Sequence, residues 1–557
     1  MNTSLPLQLY RRALMLAMVL LAGTGYVVWR LSYLQLGSNY GTGGDPTGKL
    51  VATYTAQRGC IYDLNGFLLA APDTRYDVGA APSKVGNVDE AARSLAAALD
   101  TAAGTIKELL QTDKPYVPLK RSVSRETMLR ARAIGPAYIQ ADPRPGRVYP
   151  HGQLAASLLG FVNEDRLAYY GVEGYYAVTL AGVDGERSTA KDPLGSLFYD
   201  CRLTRDGSDL YLTVDRNAQV VVEEALQKAV SSAGARKGVA IVMEPSTGAI
   251  RAMANVPTYD PNQYPETDQS LFTNPAVSDH YEPGSVFKII TMAAALDAGV
   301  VTPSSTYYDS GTIMVGGQTI RNSDRLAHGV VSMADLLAQS LNVGSAHLST
   351  LLGAYRFYDY VRRFGFGELT GIGLAYELPG VVRVPGDANW HESDLGTNSF
   401  GQGLTVTPLQ MICAVSAVAN EGKLMRPMVV STIVDGDNRT TLQPQVVAQV
   451  ISPRTAKETT EMLVRAVDRV LTGAAVPGYQ VAGKSGTSEV AGAGGYDKKE
   501  TIASFAGFFP AKDARLAILV VLDQPQTSRW GLEVAAPAFR EIAQRLAVLY
   551  GLPPDRP

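Results

Sequence analysis

The sequence predicts an α+β protein in three parts: a membrane anchor helix, an elongated mixed pedestal domain, and a large domain with a central antiparallel sheet flanked by helices. Three observations predict it. An uncharged apolar run, Ala13 to Trp29, stands near the N-terminus and is followed by glycine-rich chain. Strand-like runs stand at both ends of residues 216–557 and helical patterns fill the interval, the order expected when the two ends of a domain meet in one helix-covered sheet. Composition is globular, with 46% apolar and 18% charged residues, and 557 residues leave room for more than one domain.

The apolar run is 17 residues without a charge, about 26 Å of helix. Continued through Leu31, Leu34 and Leu36, with Arg30 snorkelling, it spans a ~30 Å hydrocarbon core. Arg11 and Arg12 precede it, and Tyr26, Trp29 and Tyr33 lie at its far end. Positive charge at the start puts the N-terminus in the cytoplasm and the rest outside. The expectation is a single-pass protein of the inner (cytoplasmic) membrane, with residues 1–36 as tail and anchor and an extracytoplasmic remainder. A cleaved signal peptide is the competing reading, but no clear small-x-small cleavage site supports it.

Gly37 to Gly48, rich in glycine with one proline, reads as a flexible connector. Ala56 to Ala70 reads as two strands around the turn Asp63-Leu64-Asn65-Gly66. Helical stretches follow near 89–111 and 123–134. Leu210 to Val214 is a strand-like run leading into a helix through about Val230, and a domain boundary is drawn near residue 215. Residues 37–215 are thus linker and pedestal, and 216–557 the second domain. That domain opens with a hairpin pattern, Gly238 to Met243 and Ala249 to Ala254 around Pro245-Ser246-Thr247-Gly248. Strands at Val481–Lys484, Ile502–Phe509 and Leu516–Leu522 and a helix from about Val534 to Tyr550 close it.

A net charge of −3 without a basic stripe gives no sign of a nucleic-acid partner. The three cysteines fit an extracytoplasmic protein that does not depend on disulfides; a bridge between Cys60 and Cys201 is left open. No Cys or His spacing suggests a metal, and no cofactor is expected.

Chemistry is carried by three short signatures in order: Ser285-Val286-Phe287-Lys288, Ser340-Leu341-Asn342 and Lys484-Ser485-Gly486-Thr487. A serine hydroxyl is a weak nucleophile at neutral pH and needs a proton acceptor within hydrogen-bond reach. On a helix the residue at i+3 shares its face, and Lys288 is that residue for Ser285. Glu282-Pro283-Gly284 breaks the chain before Ser285, and the following run to Leu296 is apolar, so Ser285 is expected to open a buried helix. A lysine one turn into such a helix is costly unless it has a task or a partner. Together the signatures point to acyl transfer.

Ser-x-x-Lys, Ser-x-Asn and a Lys-Ser-Gly-Thr form of Lys-Thr-Gly in this order, about 55 and then about 145 residues apart, resemble the transpeptidase domain of penicillin-binding proteins. The setting of Ser285, Gly401-Gln402-Gly403 with its continuation to Gln410, and Arg58-Gly59-Cys60-Ile61-Tyr62-Asp63-Leu64-Asn65-Gly66 upstream are similar to class B members. Ser485 stands where the family usually has Thr, and Leu64 where it often has Arg. The resemblance implies a serine β-lactamase/transpeptidase-like fold and a D,D-transpeptidase cross-linking peptidoglycan stem peptides, with β-lactams as covalent inhibitors. It implies Ser285 as nucleophile and Lys288 as base, with Ser340, Asn342 and Lys484 completing the catalytic set. Ser485, Gly486 and Thr487 would bind substrate, and the backbone N–H groups of Ser285 and Thr487 would form the oxyanion hole. Lys484 would be the second cation that lowers the pKa of Lys288. Implied partners are a multipass glycosyltransferase and division or elongation proteins of the membrane. Ala503 to Pro510 and Ala535 to Phe539 look more like septal than elongation enzymes. The alternatives are an elongation-type enzyme, a β-lactamase, and a penicillin-binding sensor or scaffold with little turnover.

Overall fold

In the sheet that carries the large domain, alternate residues of each strand enter two different cores. The computed structural model describes residues 50–191, 197–492 and 495–556, with residues 15, 18, 21 and 23–26 of the N-terminal segment. Most of the anchor expected over 1–36, and the connector at 37–48, lie outside the described residues. Among the described residues no helix is long and apolar enough to cross a membrane.

The chain forms two units. One comprises residues 1–56 and 183–206 and holds a three-stranded antiparallel sheet with Gly185–Lys191 between Leu50–Tyr54 and Leu197–Arg202. The other comprises residues 57–182 and 207–557.

In the second unit, α1 (Arg216–Ala233) precedes the hairpin β1 (Lys237–Met243) and β2 (Ile250–Val256). Then come α2 (Lys288–Asp297), α3 (Met333–Gln339), α4 (Asn342–Leu352), α5 (Pro408–Ala419) and α6 (Pro453–Arg469). β3 (Ala482–Gly492), β4 (Gly495–Phe509), β5 (Leu516–Asp523) and α7 (Gly531–Leu549) close the chain. The strands form one antiparallel sheet in the order β2-β1-β5-β4-β3, which leaves β3 at an edge.

Ala240, Val242, Ile518, Val520, Phe505 and Phe509 pack with α1 and α7, whereas Val239, Ile241, Leu519, Ala506 and Phe508 join a core with α2, α4 and α5. A period of two with both faces apolar explains why these strands read as unbroken hydrophobic runs. Each fully buried Phe, Leu or Val contributes about 1.5–3 kcal/mol. Gly531 starts α7, three residues before the sequence reading begins it.

The N-terminal sheet draws on distant chain. Its strands run in the order 438–441, 430–435, 209–212, 61–62, 68–80 and 117–123, with 139–148 pairing on 68–80. The expected hairpin at Ala56–Ala70 is present. Asp63 is fully buried and fixes its turn: Oδ1 accepts from Asn65 N and Phe67 N, both at 2.8 Å, and Oδ2 accepts from Arg216 N at 3.0 Å, at the start of α1. The helical stretch read over 89–111 is two helices, Val88–Leu99 and Ala103–Leu110. Asp100 ends the first in a left-handed conformation that neither Gly nor Pro announces.

Glu173 lies at the centre of a buried charge cluster. It pairs with Arg58 Nη2 at 2.6 Å and Arg147 Nε at 2.6 Å, and Tyr149 Oη donates to it at 3.3 Å. Arg147 Nη1 also donates to Gly59 O at 2.7 Å. Arg58 and Gly59 of the upstream signature are therefore parts of one buried joint. All three cysteines are free thiols.

Candidate active site

Ser285 stands on a single 3-10 turn, Gly284–Phe287, that runs into α2. The sequence reading expects it to open the α-helix itself. The tighter turn aligns it better with Lys288, because side chains at i and i+3 eclipse in a 3-10 helix. Gly284 makes the turn possible. It has φ +56°, and a Cβ there would come within 2.7 Å of Thr487 O on β3. Gly284 N donates to Gly401 O at 3.0 Å, Gly403 N to Glu282 Oε1 at 3.0 Å, and Ser488 Oγ to Glu282 O at 2.7 Å. The Gly401–Gly403 loop thus clamps the serine turn from one side and β3 from the other.

Lys288 is 1% exposed. Its Nζ lies 2.5 Å from Ser340 O, 3.1 Å from Ser340 Oγ and 2.7 Å from Asn342 Oδ1. None of its hydrogen bonds among the described residues goes to Ser285. A neutral amine has two N–H donors and one lone pair, so it donates to Ser340 O and Asn342 Oδ1 and accepts from the Ser340 hydroxyl. Burial holds Lys288 well below the ordinary lysine range, and the charge of Lys484 pushes it further the same way. Of these two causes, burial is the larger and the second lysine adds to it. Ile289, Ile290 and Met292 beside it are all buried, and that apolar setting leads. Lys484 is itself fully buried, donates to Ser485 O at 3.1 Å, and is lowered by burial to about 7.

Ser340 joins α3 to α4 with φ 62° and ψ 43°. This left-handed conformation costs a non-glycine residue about 1–2 kcal/mol, yet it turns both the carbonyl and the hydroxyl of Ser340 onto Lys288. Ser340→Gly is therefore expected to keep or raise stability by up to about 1 kcal/mol. The same change should slow acylation of Ser285 about 100-fold. Denaturant unfolding and acylation kinetics on one preparation check this; a marked loss of stability would refute the strain argument.

Asn342 Nδ2 donates to Arg321 O at 3.2 Å, which turns Oδ1 toward Lys288. The start of α4 is held by a network that carries no motif. Buried Asp309 accepts from Tyr307 Oη at 2.7 Å, Gly311 N at 2.7 Å and Asn322 Nδ2 at 2.9 Å, and Asn322 Oδ1 accepts from Val343 N at 3.1 Å. Burial alone would raise the Asp309 carboxyl, but these hydrogen bonds hold it below the usual range.

Gly486 also has a packing role. A Cβ there would meet Ser504 Oγ at 2.5 Å and Pro283 O at 2.8 Å, so its missing side chain lets β3 press on the serine turn. Thr487 Oγ1 accepts from Gly531 N at 3.1 Å. Ser285, Ser340, Asn342, Lys484, Ser485 and Thr487 line one groove of about 570 Å³, with Lys288 buried beneath. Arg325, Arg529 and Trp530 line it too and stand in no sequence signature. Among the described residues no group of three or more His, Cys, Asp or Glu side chains is placed to hold a metal.

A serine on a helix-opening turn, a buried lysine of lowered pKa and a second lysine on an adjacent edge strand are the parts of a covalent acyl-transfer site. Residues 238–544 match the family described as penicillin binding protein transpeptidase domain, and residues 53–212 the penicillin-binding protein dimerisation domain. The chain is 33% identical over 577 residues to the penicillin-binding protein PbpB of Mycobacterium tuberculosis, covering 95% of this chain and 83% of that protein. It is 31% identical to the probable peptidoglycan D,D-transpeptidase PbpC of Pseudomonas aeruginosa, covering 98% and 96%. Among solved structures, penicillin binding protein 3 of Mycobacterium tuberculosis complexed with aztreonam superposes with a TM-score of 0.71 at 29% identity, covering 91% of this chain and 99% of that one.

Proposed function

Because the chain belongs to the class B penicillin-binding proteins, we propose that Ser285, Lys288, Ser340, Asn342 and Lys484 run the acyl-enzyme cycle of the D,D-transpeptidase it encodes. The enzyme cross-links peptidoglycan stem peptides and takes β-lactams as covalent inhibitors. The observation that carries the residue assignment is the groove in which Ser285, the Ser340 and Asn342 partners of Lys288, and Lys484 meet.

Neutral Lys288 takes the proton of Ser285 Oγ, directly or through the Ser340 hydroxyl. Oγ then attacks the carbonyl of the penultimate D-alanine. The tetrahedral oxyanion is held by the backbone N–H groups of Ser285 and Thr487, a reading supported by the close approach of the serine turn to β3, where a Cβ on Gly284 would come within 2.7 Å of Thr487 O. The C–N bond breaks and the terminal D-alanine leaves with the proton returned through Ser340. An amine of a second stem peptide attacks the ester and passes its proton to Lys288; the C–O bond to Ser285 breaks, and Lys288 returns the proton to Oγ, restoring the serine hydroxyl and the neutral amine. Lys484, Ser485 and Thr487 bind the terminal carboxylate, and Gly486 brings β3 close enough to do so.

We read residues 1–36 as tail and anchor, 37–215 as linker and pedestal, and 216–557 as catalytic domain. The N-terminus is cytoplasmic in this reading, and glycan polymerisation is left to a multipass membrane partner. A septal setting is supported by the stretches 503–510 and 535–539; a tagged copy at mid-cell, rather than along the lateral wall, is the expected result.

Ser285→Ala is expected to abolish covalent labelling by a fluorescent penicillin, together with D-alanine release and dimer formation. Labelling at unchanged stoichiometry would overturn the assignment.

A further inference from the structure

Of the cations that line the groove, two are already engaged. Lys484 is buried, with its Nζ on Ser485 O at 3.1 Å. Arg529 lies 3.7 Å from Glu489 and stacks 5.0 Å from the Trp530 ring centroid. The third, Arg325, is exposed, and its guanidinium has no ion-pair or hydrogen-bond partner among the described residues.

Its backbone, by contrast, is held firmly. Arg325 has φ +62°, a conformation glycine would adopt without strain. Four hydrogen bonds keep it there. Arg325 N donates to Asn322 O at 3.0 Å, Asn322 Nδ2 to Leu326 O at 3.1 Å, and Leu326 N to Asp324 Oδ1 at 2.9 Å; His328 Nε2 lies 2.9 Å from Asp324 Oδ2. The loop is tied below to Asp309 through Asn322 and beside it to Asn342 through Arg321. A long side chain in a strained position, with no polar partner among the described residues, lines the groove that Ser285 also lines and is carried on a hydrogen-bonded loop.

We propose that Arg325 is a specificity residue that binds a second substrate carboxylate, distinct from the terminal one assigned to β3. A guanidinium fork matches a carboxylate bidentately, and a fixed backbone lowers the cost of forming that pair. The carboxylate belongs to a stem peptide, on either the acyl donor or the amine acceptor. This deepens the transpeptidase reading and rests on it.

The test uses the full chain in detergent and paired probes that differ by one carboxylate. The donors are Nα,Nε-diacetyl-L-Lys-D-Ala-D-Ala and Nα-acetyl-Nε-succinyl-L-Lys-D-Ala-D-Ala; the acceptors are D-alaninamide and D-alanine. In the wild type the carboxylate-bearing member of one pair is expected to be favoured about tenfold in kcat/KM or in acyl partition, and this ratio should fall to about one in both Arg325→Gln and Arg325→Gly. A ratio lost in the donor pair places the carboxylate on the donor, and one lost in the acceptor pair places it on the acceptor; either supports the proposal. Arg325→Gly relieves the left-handed strain and should unfold no more easily than the wild type, which separates recognition from folding. Equal ratios in wild type and both variants would overturn the role of Arg325 while leaving the enzyme intact. A wild type that neither releases D-alanine nor is acylated by benzylpenicillin would overturn the transpeptidase reading and this proposal with it.

Discussion

Lys288→Met is expected to slow acylation of Ser285 by a penicillin about 1,000-fold or more, with the chain still folded. Methionine fills the same buried space and removes the penalty of burying an amine among Ile289, Ile290 and Met292. What it loses is the proton acceptor, and with it the acid limb of the pH profile. In the wild type, kcat/KM for acylation by a carboxylate-bearing β-lactam should rise as Lys288 sheds its proton, well below the ordinary lysine range. It should fall again as Lys484 sheds its own near pH 7, because the carboxylate then loses its cation. Stability should move the other way at the alkaline end. Lys484 titrates at about 7 folded and at about 10.4 unfolded. The unfolded state binds more protons throughout that window, so stability rises with pH across it. Stopped-flow acylation from pH 5 to 10 checks the profile; a variant within tenfold of the wild type would remove Lys288 from the mechanism.

A comparable effect, on stability, is expected at Glu173. Glu173→Ala should destabilise the chain by about 3–5 kcal/mol, since it leaves Arg58 and the 2%-exposed Arg147 side chain buried side by side without their anion. Tyr149 loses its acceptor at the same time. Glu173→Gln keeps the shape and one acceptor, so its cost should be smaller but in the same direction. Denaturant titration of the three proteins decides the matter; a loss below about 1 kcal/mol would mean that water reaches both guanidinium groups.

Much of this was legible in the chain because its causes are local. The strands at 238–243 and 516–522 declare themselves as apolar runs, since both faces are buried. Pro283 and Gly284 announce the break before Ser285, although they do not say that one 3-10 turn intervenes. What stayed hidden was non-local. The left-handed backbone of Ser340 and of Arg325 is imposed by surroundings and leaves no glycine as a sign. Asp309 and Asn322 stand 13 residues apart in no known motif, yet meet beneath α4.

The N-terminal sheet has a consequence for how the chain comes into being. Its strand at 209–212 lies beside 430–435, and Ser431 Oγ donates to Tyr211 O across 220 residues of sequence. During synthesis from the N-terminus, the strands at 61–62, 68–80 and 209–212 must wait, with one flank open, until the serine turn and the Ser340–Asn342 wall of the groove have already been made. Pairings between such distant segments close late and slowly. A fragment ending near residue 215 would therefore carry an uncovered sheet edge and invite self-association, and the groove and its support mature together or not at all.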